Sequence, residues 1–345
     1  MSKRNQWLLY GATGYSGERI ARKAASYGYK PVLAGRDANK VKAVAEPLGL
    51  EWHAVGLDDT AGLKRLVGDF PVVLHAAGPF VNTHQSMLEA CLAEGTHYLD
   101  ITGEIGVYEA LAARDDSARK AGIMLLPGCG FDMVPGDCLA LILKRMMPDA
   151  TSLDMAISFE GTLTHGTMRS SLVNYTPMPQ VRRAHELVSL TENETREYDF
   201  GPGRCGGRHV THASTFGDIS VAWRTTGIPN INVWLRPAPE FATLAALKSV
   251  DDITDLPPGP SDDELKNIPT ILIGEVRNQA GKAVALRMVI PQIYAITFDV
   301  ASKIAQQVCE GTHRNGFQTP ASVFGEDYIL QFDGCRIEPW PASTH

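Results

Sequence analysis

No apolar run in the 345-residue sequence approaches the roughly 18 uninterrupted residues that a membrane-crossing helix requires. The charged start, Met-Ser-Lys-Arg, is followed by neither a long apolar stretch nor a cleavage site, so no export signal is expected and a cytoplasmic location is. Cysteine is sparse. Cys91, Cys129, Cys138, Cys205, Cys309 and Cys335 form no Cys-x-x-Cys pair, and a chain of this length needs no disulfide staple, which points to reduced thiols. Basic charge is outnumbered: 32 lysines and arginines face 39 acidic residues, and the formal charge of −7 disfavours nucleic acid and anionic membranes as partners. Gly-x-Ser-x-Gly and His-Glu-x-x-His are missing too, which removes two common hydrolase readings. What is present, 44% hydrophobic and 21% charged residues, suits an ordinary folded chain long enough for about two domains.

The first third alternates short apolar runs with amphipathic segments, the rhythm of repeated βα units around a parallel sheet. Strands are expected over residues 6–10, 31–35, 51–55, 72–76, 96–100 and 123–126, with helices over 17–25, 39–48, 60–67, 83–94 and 107–121 between them. After Pro127 the rhythm changes. A helix is expected at 135–147, then extended runs at 152–159, 218–225, 230–236, 271–277 and 283–290 joined by short turns, which predicts antiparallel pairing. A helix returns at 295–311, and a last strand is expected over 328–332. The fold class is therefore α/β, with a doubly wound parallel-sheet domain over 1–130, completed by 312–345, and an α+β mixed-sheet domain over 131–311. The acidic, proline-rich stretch Asp251–Pro269 shows no periodicity and reads as a surface excursion or lid.

The sharpest local signal is Gly11-Ala-Thr13-Gly14-Tyr15-Ser16-Gly17, which follows an apolar strand and opens a helix. Small residues there let the backbone turn tightly and approach a pyrophosphate, while the amides of the helix N-terminus face the anion. The second strand indicates which dinucleotide. It ends Leu33-Ala-Gly35-Arg36-Asp37, so a glycine stands where a site for NAD would carry an acid, and a guanidinium follows that can pair with a 2′-phosphate. NADP(H) is the expected cofactor, with Asp37 as the cap of the next helix.

Other residues fall on the rim beyond the carboxyl ends of the strands, where ligands of parallel sheets bind. Asp100 and Glu104 could form an acid/base pair or hold loop amides. Cys129, between two glycines and without a partner base, reads as a packing residue. Asp132 could cap the helix that follows or take part in catalysis, whereas His165 could donate a proton and Arg169 bind a carboxylate. Cys205, His209 and His212 resemble half of a zinc site, but strand geometry would turn the two histidines to opposite faces, and no metal is expected.

Four further segments complete a pattern: His75-Ala-Ala-Gly-Pro-Phe80, Gly95-Thr-His-Tyr-Leu-Asp-Ile-Thr-Gly-Glu104, Pro127-Gly-Cys-Gly-Phe-Asp-Met-Val-Pro135 with Asp137, and Thr319-Pro-Ala-Ser-Val-Phe-Gly325. With the glycine loop and the Leu-Ala-Gly-Arg strand end, they resemble the saccharopine dehydrogenase-like oxidoreductases, whose relatives include saccharopine reductases and trans-acting enoyl reductases. The resemblance is strongest over residues 7–137, and the stretch from about 180 to 315 matches little. It implies a Rossmann domain, a mixed-sheet substrate and dimerisation domain, and a cleft between them. The cofactor contacts it implies are Gly11, Thr13, Gly14, Tyr15, Ser16 and Gly17 at the pyrophosphate, Arg36 at the adenosine phosphate, Asp58 near the adenine, and Ala77, Gly78 and Pro79 at the nicotinamide ribose. The catalytic candidates are Asp100, Asp132, His165 and Arg169. The implied reaction is hydride transfer between nicotinamide C4 and an unsaturated carbon of a small molecule. That carbon belongs to a C=N bond in the saccharopine branch, the preferred reading, or to an activated C=C bond of an acyl or lipid-like substrate in the enoyl reductase branch. A homodimer through the second domain is expected, and the rival reading is a non-catalytic NADP(H)-binding sensor or scaffold.

Overall fold

The computed structural model describes residues 5–174, 178–247, 249 and 251–342. They form β1 (Leu8–Tyr10), α1 (Tyr15–Ser26), β2 (Val32–Gly35), α2 (Ala38–Ala45), β3 (Trp52–Ala54), α3 (Thr60–Gly68), β4 (Val72–His75), α4 (Phe80–Glu94), β5 (His97–Asp100), α5 (Ile105–Ala112), α6 (Asp115–Ala121) and β6 (Met124–Leu126). Then come α7 (Val134–Met146), β7 (Ser152–Ser158), α8 (His165–Val173), β8 (Gln180–Arg183), β9 (Glu186–Ser189), β10 (Thr195–Asp199), β11 (Arg208–Ala213), α9 (Asp218–Thr226) and β12 (Asn230–Leu235). The remainder is α10 (Pro239–Ala246), α11 (Asp262–Asn267), β13 (Thr270–Arg277), β14 (Ala283–Ile290), α12 (Ile293–Cys309), β15 (Gly316–Phe317), α13 (Pro320–Phe324) and β16 (Arg336–Trp340). Two compact units result, Met1–Gly130 with Thr297–Gln318, and Phe131–Ile296 with Thr319–His345.

The first unit is a seven-stranded sheet in the order β15-β6-β5-β4-β1-β2-β3, parallel at every pairing. Strands flanked by helices on both faces must be apolar throughout, and Leu8–Tyr10, Val72–His75 and Met124–Leu126 are buried at every position. The strand order reverses between β1 and β4, which opens a crevice at their carboxyl ends. From Thr297 onward α12 belongs to this unit, where it packs on the first βα unit: Gln306 Oε1 accepts from the Trp7 indole at 3.1 Å, and Phe298 lies against Tyr15.

The second unit carries a nine-stranded mixed sheet, β10-β11-β12-β7-β13-β14-β16, with β8 and β9 attached beside β12. Only β12 and β7 run parallel among these pairs. Helix α7 covers one face, seated on Gly274, where an added Cβ would lie 2.6 Å from Leu143. The β10–β11 hairpin folds over the other face, where Tyr198, Phe200 and Cys205 join a core cluster with Ala156, Trp234, Ile271, Ile273 and Val289. Beneath that flap, Arg196 bridges the buried carboxylates of Asp154 and Glu275 at 2.7 and 3.0 Å. A buried charge needs such partners to stay charged.

Three expectations are corrected. The first domain is completed not by 312–345 as a whole but by 297–318, which includes β15; beyond Gln318 the chain belongs to the second unit, where Arg336–Trp340 pairs antiparallel with β14. The expected strand at 218–225 is helix α9, because Ile219, Val221 and Ala222 bury together when wound helically beside α7. The expected strand at 328–332 is a short 3₁₀ turn that buries Tyr328 and Ile329. Within Asp251–Pro269, α11 is closed by a capping box between Ser261 and Glu264. Among the described residues no helix is long and apolar enough to cross a membrane.

Candidate functional site

In the first unit, β1 turns into α1 through three glycines with different tasks. Gly11 has φ +89°, and a Cβ there would lie 2.7 Å from Ala76 and Ala77; at Gly17 it would lie 2.2 Å from the Gly11 carbonyl. Both glycines are demanded by packing. Gly14 is not: its φ is −79°, it is exposed, and a Cβ would meet nothing nearer than 3.6 Å. As N-cap of α1 it offers no side-chain oxygen to the first-turn amides of Tyr15, Ser16 and Gly17, where a serine or aspartate would ordinarily cap them. A helix start with no side-chain cap and an open approach suits a pyrophosphate. Thr13 is exposed on the same turn.

At the end of β2, Asp37 is committed to capping α2, its Oδ1 accepting from the Lys40 amide at 3.1 Å. Arg36 is exposed and makes no hydrogen bond or ion pair among the described residues. It stands near the Tyr10 hydroxyl, which is pushed up to about 12 by burial and the Asp58 charge, with Arg36 opposing. Arg36, Tyr10 and Asp58 therefore share one corner beside the glycine loop. The residues fit the adenosine end of a dinucleotide with an extra phosphate.

The turn Ala77-Gly78-Pro79 leaves β4 at the crevice and is held at both ends. Glu104 accepts from the Phe80 and Val81 amides at 2.8 and 2.7 Å, capping the start of α4 from a distant loop. Thr83 donates its hydroxyl to the Ala77 carbonyl at 2.7 Å and in turn contacts His75 Nε2 at 3.1 Å. Neither histidine nor threonine was legible as a site residue, because a strand-end histidine and a helical threonine carry no spacing signal.

Asp100 is fully buried and both of its oxygens are engaged: Thr102 and Gly128 amides donate to Oδ1 at 3.0 and 2.9 Å, and Tyr98 donates to Oδ2 at 2.7 Å. Burial pushes its carboxyl up to about 6. Asp100 thus ties β5 to the loop after β6. Cys129, fully buried with its thiol pushed up by burial and donating to Leu126 O at 3.2 Å, is a packing residue.

The other three candidates lie in the second unit. Asp132 sits half-buried in the turn before α7, and its charge acts on buried Asp218 and on Tyr294. Burial, then the charges of Asp132 and Asp137, hold the Asp218 carboxyl well above the usual range. Tyr294 accepts from the Thr164 amide at 3.0 Å and contacts the Thr167 hydroxyl at 2.8 Å. His165 donates Nε2–H to Leu256 O at 2.8 Å, and its amide donates to Pro258 O, so it anchors the acidic, proline-rich segment. Arg169, one turn further along α8 on the same side, is half-buried and has no partner among the described residues. The zinc-like triad does not converge: His209 donates to Gly206 O and shares a strand with His212 three residues on, which turns the two apart.

A strand, a glycine turn and an uncapped helix at the switch point of a parallel, doubly wound sheet define a Rossmann-type dinucleotide-binding domain. Residues 7–126 match the family model of the saccharopine dehydrogenase NADP binding domain. They form a nicotinamide-dinucleotide-binding domain. The chain is 31% identical over 214 residues to the trans-acting enoyl reductases of Mycobacterium leprae and Mycobacterium ulcerans, matching 56% of this chain and 51% of each relative. It thus spans about half the length of the curated relatives it matches. The saccharopine dehydrogenase (L-Glu forming) of Saccharomyces cerevisiae superposes with a TM-score of 0.65 over 97% of this chain and 100% of that one; at 13% identity the likeness is one of fold.

Proposed function

We propose that the protein is an NADP(H)-dependent oxidoreductase acting on a small molecule. The observation that carries this reading is Arg36, exposed at the end of β2 with no hydrogen bond or ion pair among the described residues, beside a helix start without a side-chain cap, while the acid that follows it, Asp37, is spent on capping α2. Gly11, Thr13, Gly14, Tyr15, Ser16 and Gly17 would hold the pyrophosphate, Arg36 the 2′-phosphate, Asp58 the adenine edge, and Ala77, Gly78 and Pro79 the nicotinamide ribose. The bound cofactor supplies a hydride at nicotinamide C4 to an unsaturated carbon. The chain's own part is to orient that ring and to deliver a proton to the atom that gains electron density. Asp132 is the candidate for the proton and Arg169 for binding a substrate carboxylate, while His165 anchors its neighbouring segment.

Two substrate bonds have separate support. The names of the enoyl reductase relatives favour an activated C=C bond. Arg169, without a partner among the described residues, favours a carboxylate-bearing C=N substrate, such as the imine of an amine and a keto acid. Loss of NADPH absorbance with enoyl thioesters, or with amine and keto acid together, decides between them. Tight NADPH binding without turnover across both panels supports the sensor or scaffold reading, and failure to bind NADPH overturns the cofactor assignment. A homodimer through the second unit, which the resemblance supports, is read from light scattering.

A further inference from the structure

His75 ends β4 at the point where the strand order reverses, and it is fully buried. Its ring packs against Tyr10, Phe80 and Tyr98. Burial, with the charge of His84 adding, pushes it down to about 3, so the ring is neutral. Neutral imidazole has one donor and one acceptor nitrogen. Thr83 resolves which is which: its single hydroxyl proton goes to the Ala77 carbonyl at 2.7 Å, so at the 3.1 Å contact Thr83 accepts and His75 Nε2–H donates. The other nitrogen, Nδ1, is then a bare acceptor, and it is buried without a partner.

An unpartnered buried acceptor is destabilising, because it loses its bond to water and gains none in exchange. A leucine or methionine would fill this apolar position without that penalty, so the histidine serves something other than stability. Its one productive contact leads through Thr83 to the carbonyl of Ala77, with the Pro79 carbonyl a further 3.2 Å contact of the same hydroxyl. Those two residues bracket Gly78, on the turn read above as lining the nicotinamide ribose. Glu104 fixes the far end of the same turn through the Phe80 and Val81 amides.

We propose that His75, acting through Thr83, is a positioning residue that sets the Ala77–Pro79 turn to receive the nicotinamide half of the cofactor; this rests on the cofactor reading above. The relay's hydrogen bonds run to the turn that leaves β4, whereas Arg36 stands at the end of β2, so the relay acts on the nicotinamide half of the dinucleotide and not on the 2′-phosphate.

The test measures binding of NADPH and of adenosine 2′,5′-bisphosphate, which carries only the adenosine half, to the full chain and to three variants. Thr83→Val and His75→Leu are expected to weaken NADPH about fivefold to tenfold, the worth of one hydrogen bond, and to leave the bisphosphate within about twofold. His75→Gln, whose amide nitrogen reaches the position of Nε2, is expected to restore NADPH binding to within about twofold of the wild type. Equal weakening of both ligands, or none for NADPH, overturns the proposal. A response to Thr83→Val alone, with His75→Leu behaving as wild type, removes His75 from it. Should His75→Leu fail to fold, Thr83→Val with the His75→Gln rescue carries the same comparison. A wild-type chain that binds neither ligand defeats the cofactor reading itself, whereas one that binds both while the variants bind unchanged defeats only the relay.

Discussion

On the proposed reading Arg36 is the residue on which cofactor choice turns, and its effect has a distinctive form. Arg36→Ala removes charge-assisted bonds to a 2′-phosphate and should weaken NADPH roughly tenfold to a hundredfold while leaving NADH nearly unchanged, as titration of each would show. An equal loss for both would mean that the guanidinium serves the shared part of the dinucleotide. Asp137 makes a prediction in pH. It is buried at the start of α7, accepts from Thr225 and, at 2.7 Å, from the Ala321 amide, and burial pushes it up to about 6. An unfolded aspartate titrates near 3.9. Between those values the folded chain holds the extra proton, so this residue's contribution to stability falls as pH rises through the window from about 4 to about 6 and is constant above it. Asp137→Asn abolishes the titration, so the stability difference, variant minus wild type, should climb through that window in denaturant melts and then level off. A flat difference rules out the raised pKa. At this scale the sequence offered the residues that chemical type alone suggests for a ligand, such as Arg36 for the proposed 2′-phosphate. It offered Glu104 as a holder of loop amides, which Glu104 is, and hid others whose role comes from what they touch, such as His75 and Asp137.

Among the elements, the turn between β1 and α1 separates folding from binding. Gly17→Ala places a Cβ 2.2 Å from the Gly11 carbonyl and should cost about 1–3 kcal/mol in thermal or denaturant melts. Gly14→Ala meets open space at an ordinary φ and should leave stability unchanged or raise it by about 0.4–1 kcal/mol. The same methyl group stands where the pyrophosphate would approach, so NADPH binding should fall about tenfold or more. Stability lost at position 14, or binding kept there, contradicts the assignment of the loop. The βα rhythm of the first third was legible because most of its strands are short apolar runs and its helices are amphipathic. Asp218–Thr226 was not: its alternating apolar and β-branched residues read as a strand, and only packing beside α7 decides for a helix. The β10–β11 flap escaped notice for a related reason. Arg196 and Tyr198 are polar in sequence and become interior only when Asp154 and Glu275 lie beneath them.

For the whole molecule, chain order and spatial order diverge. Gly130 and Thr297 lie side by side, an added Cβ on Gly130 falling 2.9 Å from Thr297 Cγ2, although residues 131–296 intervene in sequence. Residues 1–130 alone should therefore give no cooperative melt, whereas 1–130 joined by a short glycine linker to 297–318 should melt as one unit and bind NADPH. A cooperative melt from 1–130 alone would show that α12 and β15 are dispensable. The sequence suggested that a late segment returns to the first domain but set its bounds too late: β15 lies within the expected 312–345, whereas α12 also makes the return and Arg336–Trp340 belongs to the second sheet. The arrangement sets a timetable for synthesis. A ribosome adding about 5–20 residues per second spends on the order of ten to thirty seconds on residues 131–296. Throughout that interval the Trp7 indole waits for Gln306, and the outer edge of β6 waits for β15. The cofactor half is the first to be translated, yet it closes only on chains whose other half has already been made.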